Sequence, residues 1–108
     1  MTHATLDDFK KIELRVAKIL SAEEVAGADR LWRLSIDAGE GPKQIVAGIK
    51  LHYTRESLVG RSVIVVNNLQ PAVIRGVESN GMLLAAKSGS ELTLLSLDKD
   101  MPAGSIVG

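Results

Sequence analysis

"KIELRVAKIL", Lys11 to Leu20, is the stretch on which the fold turns. Ile12, Leu14 and Val16 alternate in it with Glu13, Arg15 and Ala17, the period-two pattern of a strand with one face buried. Ile19 then falls on the opposite parity, so a bulge or sharp bend near Ala17 and Lys18 is needed to keep that side chain in the core. A long, bent first strand is what a small closed barrel requires.

Downstream, "LWRLSID" repeats the alternation, with Trp32, Leu34 and Ile36 on one face and Arg33, Ser35 and Asp37 on the other. "DAGEGPK" supplies turn residues, and "KQIVAGI" reads as the returning strand, ending near Gly48. No helix pattern follows "GEG", so it is not a dinucleotide-binding loop. "YTRESLVG" predicts a helix of one or two turns, with Thr54 as cap, Glu56 in the first turn and Gly60 at the end. "RSVIVVNNL", "GMLLAA" and "ELTLLSL" follow as apolar, strand-like runs, and "KSGSE" is a turn. The tail "DKDMPAGSIVG" adds a short strand. The order predicts an all-β fold: a five-stranded oligonucleotide-binding barrel with one short helix between strands three and four and a short C-terminal strand extension. A β-sandwich is the alternative.

The 108 residues predict one domain, 1–108, because two hydrophobic cores would not fit. Hydrophobic residues make up 45%, and thirteen basic residues balance thirteen acidic ones, a composition that suits a folded core. A binder working through phosphate neutralisation alone usually carries a basic excess, and here the isoelectric point is about 6.7. The absence of cysteine fits a reducing compartment, and neither a signal pattern nor a membrane span is present, so the expected location is the cytoplasm.

Catalytic chemistry finds little support. His3 and His52 lack ligand-spaced partners, so no metal or other cofactor is expected. Ser79 as a nucleophile would need a base and an orienting carboxylate that the spacing does not supply. Asp7–Asp8 and Glu23–Glu24 are adjacent pairs, which point to opposite faces of a strand. Nucleic-acid stacking is also thinly provided for. Phe9, Trp32 and Tyr53 are the only aromatics, and Trp32 shares the parity of core residues. The same parity puts Arg15 and Arg33 on the outer surface. A barrel of this type binds on the face of strands two and three and with the loops after strands one and four, here "EEVAGADR" and "LQPAVIRGVES".

"DDFKKIELRVAKIL", "ADRL", "YTRESLVGRSVIVVNNLQPA" and "RGVESNGMLLAA", in that order, closely resemble the tRNA-binding domain of the methionyl-tRNA synthetase C-terminus, of the separate beta subunits and of a stand-alone bacterial tRNA-binding protein. The resemblance runs from about Leu6 to Val107. It implies a non-catalytic barrel that homodimerises through its C-terminal strands, roughly Leu92 to Val107, and recognises the folded shape of tRNA. The implied partners are tRNA, a second copy of the chain and, for an excised domain, a methionyl-tRNA synthetase catalytic chain whose active site lies elsewhere. The alternative is an export-type, peptide-binding chaperone with the same barrel and dimer.

The resemblance points to the "VESNGM" segment for tRNA contacts, hence to Ser79, Asn80 and Met82. Ser79 offers a hydroxyl for phosphate or 2′-OH, and Met82 a flexible apolar side chain that can pack on a base or ribose. Arg30 stands where the family usually has lysine in "ADKL". Arg75 at the loop edge and Arg33 on strand two join them on physical grounds. Plainer roles exist beside these: Asn80-Gly81 is also a strong hairpin signal, Met82 shares parity with Leu84 as a core residue would, and Glu78 is placed to orient Arg75 or cap the loop. Val25, Ala26 and Gly27 depart from the family's "HPN" in the first loop.

Overall fold

The computed structural model describes residues 2–108, so Met1 of the expected domain lies outside the described residues. β1 (Leu14–Val25) is the spine of the sheet. β2 (Ala28–Asp37) pairs antiparallel with its second half, β3 (Pro42–Ala47) pairs with β2, and β4 (Ser62–Val66) pairs with the first half of β1. β5 (Ala72–Ile74) and β6 (Val77–Ser79) form a separate hairpin. β7 (Met82–Leu83) returns to β4, completing the order β3-β2-β1-β4-β7. β8 (Ala85–Ser88) and β9 (Glu91–Leu94) make a second hairpin, and β10 (Ile106–Val107) pairs with β1 at Leu14 and Arg15. The fold is mostly β, as expected, with more and shorter strands than the five or six counted in the sequence.

The bend in β1 exists but sits later than expected. The register slips between Ile19 and Ser21, which turns Leu20 out and carries the core from Ala17 and Ile19 to Ala22. Ile12, Leu14 and Val16 are therefore not the core face. Val16 is buried on the opposite face of the sheet, across the ladder from Ile64, while the interior position is taken by small Ala17. Alternation cannot say which face is interior when a strand is buried on both. The correction moves Arg15 too: it shares Ala17's parity, is half-buried at the start of β1, and its Nε donates to Glu13 Oε1 at 3.2 Å.

β2 follows its alternation. Trp32, Leu34 and Ile36 are buried and join Ile45, Val63 and Val65 in the interior. The predicted short helix is α2 (Arg55–Leu58): Thr54 caps it, its hydroxyl accepting from the Ser57 amide at 3.2 Å, and Leu58 is driven fully into the core. A further helix, α1 (Leu6–Lys10), precedes β1. The Thr5 hydroxyl accepts from the Asp8 amide, and the Asp8 carboxylate accepts from the Thr5 amide, a reciprocal cap that "TLDD" makes possible. None of the α1 residues is buried. No helix among the described residues is long and apolar enough to cross a membrane.

The two outer strands of the sheet are bridged by the end of β6 and the segment after it. The Asn80 amide donates to the Gln44 carbonyl at 2.9 Å, and the Val46 amide donates to Ser79 Oγ at 2.9 Å. Gly81 then passes into β7 with φ +150°. A Cβ there would lie 3.0 Å from the Val66 carbonyl oxygen and 3.4 Å from Ile45 Cγ2, so a side chain would be strained in φ and would push its neighbours on β3 and β4 apart by a few tenths of an ångström.

Candidate nucleic-acid interface

The two loops expected to bind do meet. The β1–β2 turn is two residues, Ala26 and Gly27, with Gly27 at φ +73°. The β5–β6 hairpin folds toward it, and together they enclose a cleft of about 420 Å³. Gly27, Asp29 and Arg30 line one side, Ile74 and Arg75 the other. Both arginines are exposed, and neither guanidinium takes part in a hydrogen bond or ion pair among the described residues. Two unengaged forks in one cleft can hold phosphate oxygens bidentately.

Arg75 is placed there at a cost. It is the one non-glycine residue with positive φ among the described residues, at +53°, and Gly76 follows at +78°. Two successive left-handed residues joining Ile74 to its partner Val77 make a two-residue primed turn, whose usual occupants are Asn-Gly or Asp-Gly. The hairpin turn is therefore Arg75-Gly76. Asn80-Gly81, the stronger sequence signal for one, crosses between strands instead. Val73, 73% exposed, stands on the hairpin across the ladder from Glu78.

The other site expectations separate. Ser79 is only 5% exposed, and its hydroxyl is engaged on both sides, accepting from the Val46 amide and donating to the Gly81 carbonyl at 3.1 Å. It does not offer a free surface hydroxyl, because the open edge of β3 needs that oxygen as a backbone partner. Asn80 is half-buried beside Gln44, whose Nε2 donates to the Glu78 carbonyl at 2.8 Å. Glu78 makes no ion pair with Arg75 among the described residues. Arg33 does face outward, but its Nη2 lies 2.7 Å from Glu23 Oε2, in a different groove lined by Ser35, Lys43 and Gln44. Met82 is 46% exposed rather than core.

Asn67 and Asn68 form a network with no signal in the sequence. Asn67 Nδ2 donates to Glu13 Oε1 at 2.9 Å, while Lys43 Nζ donates to Asn67 Oδ1 at 2.9 Å. The Glu13 amide donates to Asn68 Oδ1 at 2.8 Å, so the pair clips the entry of β1 to the end of β4. The Asn67 bond, with the nearby Arg15 charge adding to it, holds the Glu13 carboxyl below its ordinary value against a smaller opposing effect of desolvation. Trp32 is an anchor: its Nε1 donates to the Tyr53 carbonyl at 2.9 Å, with Lys50 Nζ 5.2 Å and Arg55 Cζ 5.8 Å from the ring centre. The Tyr53 hydroxyl accepts from the Leu94 amide at 3.0 Å. Its pKa is lowered, first by the Thr93 hydroxyl and then by that amide. Among the described residues no group of three or more His, Asp or Glu is placed to hold a metal ion.

Comparison with known proteins matches residues 14–106 to the family described as "Putative tRNA binding domain". Methionine–tRNA ligase of Thermotoga maritima is 53% identical over 103 residues, 95% of this chain but 16% of the ligase, and that of Methanococcus aeolicus is 53% identical over 102 residues, 94% of this chain and 15% of the ligase. The chain thus spans about one-sixth of the length of the curated relatives it matches. A methionyl-tRNA synthetase related protein from Pyrococcus horikoshii superposes with TM-score 0.93 at 32% identity, covering both chains completely. The chaperone CsaA of Bacillus anthracis superposes with TM-score 0.90 at 30% identity, covering 99% of this chain and all of that one.

Proposed function

Because this chain belongs to the tRNA-binding domain family, we propose that it binds tRNA without catalysing a reaction, as a homodimer that recognises the folded RNA by shape. The observation that carries the reading is the cleft between the β1–β2 turn and the β5–β6 hairpin, with Arg30 and Arg75 unengaged on its two walls. Phosphate contacts position an RNA, and a neutral protein can supply them if a few cations are concentrated where the backbone passes. Asn80 and Met82 flank the same loop system and contribute polar and apolar contacts to ribose or base. Arg33 joins once its pairing with Glu23 is exchanged for phosphate. Ser79 acts from inside, fixing the loop that carries the others.

Self-association is supported by apolar side chains on the C-terminal segment, where Ile106 is 80% exposed and Met101 and Leu95 are exposed as well. Two copies present two clefts, which raises affinity through effective concentration. The reading places the protein in the cytoplasm, alone or joined to a methionyl-tRNA synthetase catalytic chain. Titration of labelled total tRNA at several salt concentrations, with duplex RNA and DNA as competitors, tests it. Saturable binding that falls with salt and resists duplex competition is the expected result, and no binding at low salt overturns it. Light scattering showing a monomer at all practical concentrations would remove the dimer.

The likeness to the chaperone CsaA and the altered first-loop residues Val25, Ala26 and Gly27 favour one second reading, binding of unfolded polypeptide. It requires that the protein suppress aggregation of a reduced client and that tRNA not compete.

A further inference from the structure

Arg30 is the shared wall of two clefts. One is the cleft with Arg75; the other, about 220 Å³, lies between the loop after β3 and the β8–β9 hairpin. Leu51 and His52 come from the loop, Lys87, Glu91 and Leu92 from the hairpin. Arg30, His52 and Lys87 are exposed, and none of their side chains makes a hydrogen bond or ion pair among the described residues. We propose that the tRNA interface continues past Arg30 into this second cleft, where Lys87 and Arg30 hold a further backbone phosphate and His52 adds a donor.

The argument rests on the tRNA-binding reading above and on three features of the cleft. Its cationic side chains are uncommitted, unlike Arg33, Lys43 and Lys50, each of which is bonded to a neighbour. Glu91 is the one carboxylate in it and makes no pair with Lys87, so Arg30 and Lys87 against Glu91 leave one positive charge in a chain that is neutral overall. Leu51 and Leu92 give the cleft an apolar component against which a ribose can pack, as occurs when RNA is held through its sugar–phosphate backbone. Arg30, common to both clefts, makes them one track rather than two sites.

The test is tRNA titration of the full chain and of Lys87→Ala, Arg75→Ala and Lys10→Ala variants from about 50 to about 200 mM salt. Lys10 is exposed, lines neither cleft and lies outside the C-terminal segment, which makes it the charge control. Lys87→Ala is expected to weaken binding severalfold at low salt. It should also make the slope of log K against log salt shallower by about 0.7–0.9, the loss of one phosphate contact. Lys10→Ala should change neither. If Arg75→Ala weakens binding while Lys87→Ala behaves like Lys10→Ala, the extension is wrong and the proposed function stands. If Lys87→Ala and Lys10→Ala weaken binding alike, only general charge is at work and the second cleft is not a site. If the unaltered chain does not bind tRNA, the function itself fails and the extension with it.

Discussion

The Val46 amide donates to the Ser79 hydroxyl at 2.9 Å, so the side chain of the last residue of β6 completes the backbone bonding of a strand more than thirty residues earlier. The same hydroxyl donates to the Gly81 carbonyl, which fixes the turn into β7. The serine is a joint between the β5–β6 hairpin and the main sheet.

Ser79→Ala removes both bonds and leaves a buried amide unpaired. It should lower stability by about 1–3 kcal/mol, seen as a lower denaturant midpoint with unchanged m-value. If Ser79 instead contacted RNA through a free hydroxyl, the variant would lose tRNA affinity and keep its stability.

Arg75→Asn replaces a residue strained at φ +53° with one that favours that conformation. The expected outcome is opposed: a gain of up to about 1 kcal/mol in stability with a roughly tenfold loss of tRNA affinity. A residue held against its conformational preference for binding should separate the two measurements in this way. A variant that gains stability and binds as before would show that Arg75 has no part in recognition.

Gly81→Ala should destabilise by about 1–3 kcal/mol, because φ +150° strains any residue with a Cβ and the 3.0 Å approach would force the Val66 carbonyl to shift. Thermal unfolding checks it. Gly76→Ala, at positive φ but with nothing within 4 Å of a Cβ, should cost less.

Glu13 sets an acid limb. Its carboxyl is held below the ordinary 4.5 in the folded chain, so its contribution is complete above that value and is lost as the pH falls through the lowered folded value. Glu13→Gln should therefore be less stable than the unaltered chain near neutrality, with the difference shrinking below about pH 4 in denaturant titrations. A difference that stays constant down to pH 2 would mean that the Asn67 and Arg15 contacts do not depend on the charge.

Much of the architecture was legible because local rules and tertiary packing agree in it. β2 obeys its alternation from Trp32 to Ile36, and Thr54 caps a helix where a threonine before an acidic first turn should. β1 was misread in phase because Leu14 and Val16 are apolar on the face away from the interior, a choice that depends on what covers that face. Asn80-Gly81 carries a hairpin signal that the fold does not use as a turn. Its glycine answers a steric demand from Val66 and Ile45, while the real turn carries an arginine that no propensity scale would put there. Arg30 and Arg75 could be nominated from their loops, but their sharing of a cleft follows from the hairpin's fold-over, which has no local signature. Lys87 gave no signal at all, since an isolated exposed lysine acquires meaning only beside Arg30 and His52.

β10 is two residues long, yet it meets β1 at Leu14 and Arg15, just before β2 begins its own pairing at Lys18. The Gly104 amide donates to the Val16 carbonyl at 2.7 Å, and the Val16 amide to the Ser105 carbonyl at 2.9 Å. The tail can lie so close because Gly104 packs against Gly39 backbone to backbone, each without a Cβ to intervene. Without it, the start of the central strand would show a bare row of amides and carbonyls flanked by apolar side chains, a template on which foreign strands add. The final segment therefore works as a guard on colloidal behaviour: a chain whose tail is displaced should aggregate by edge-to-edge growth before it loses its core.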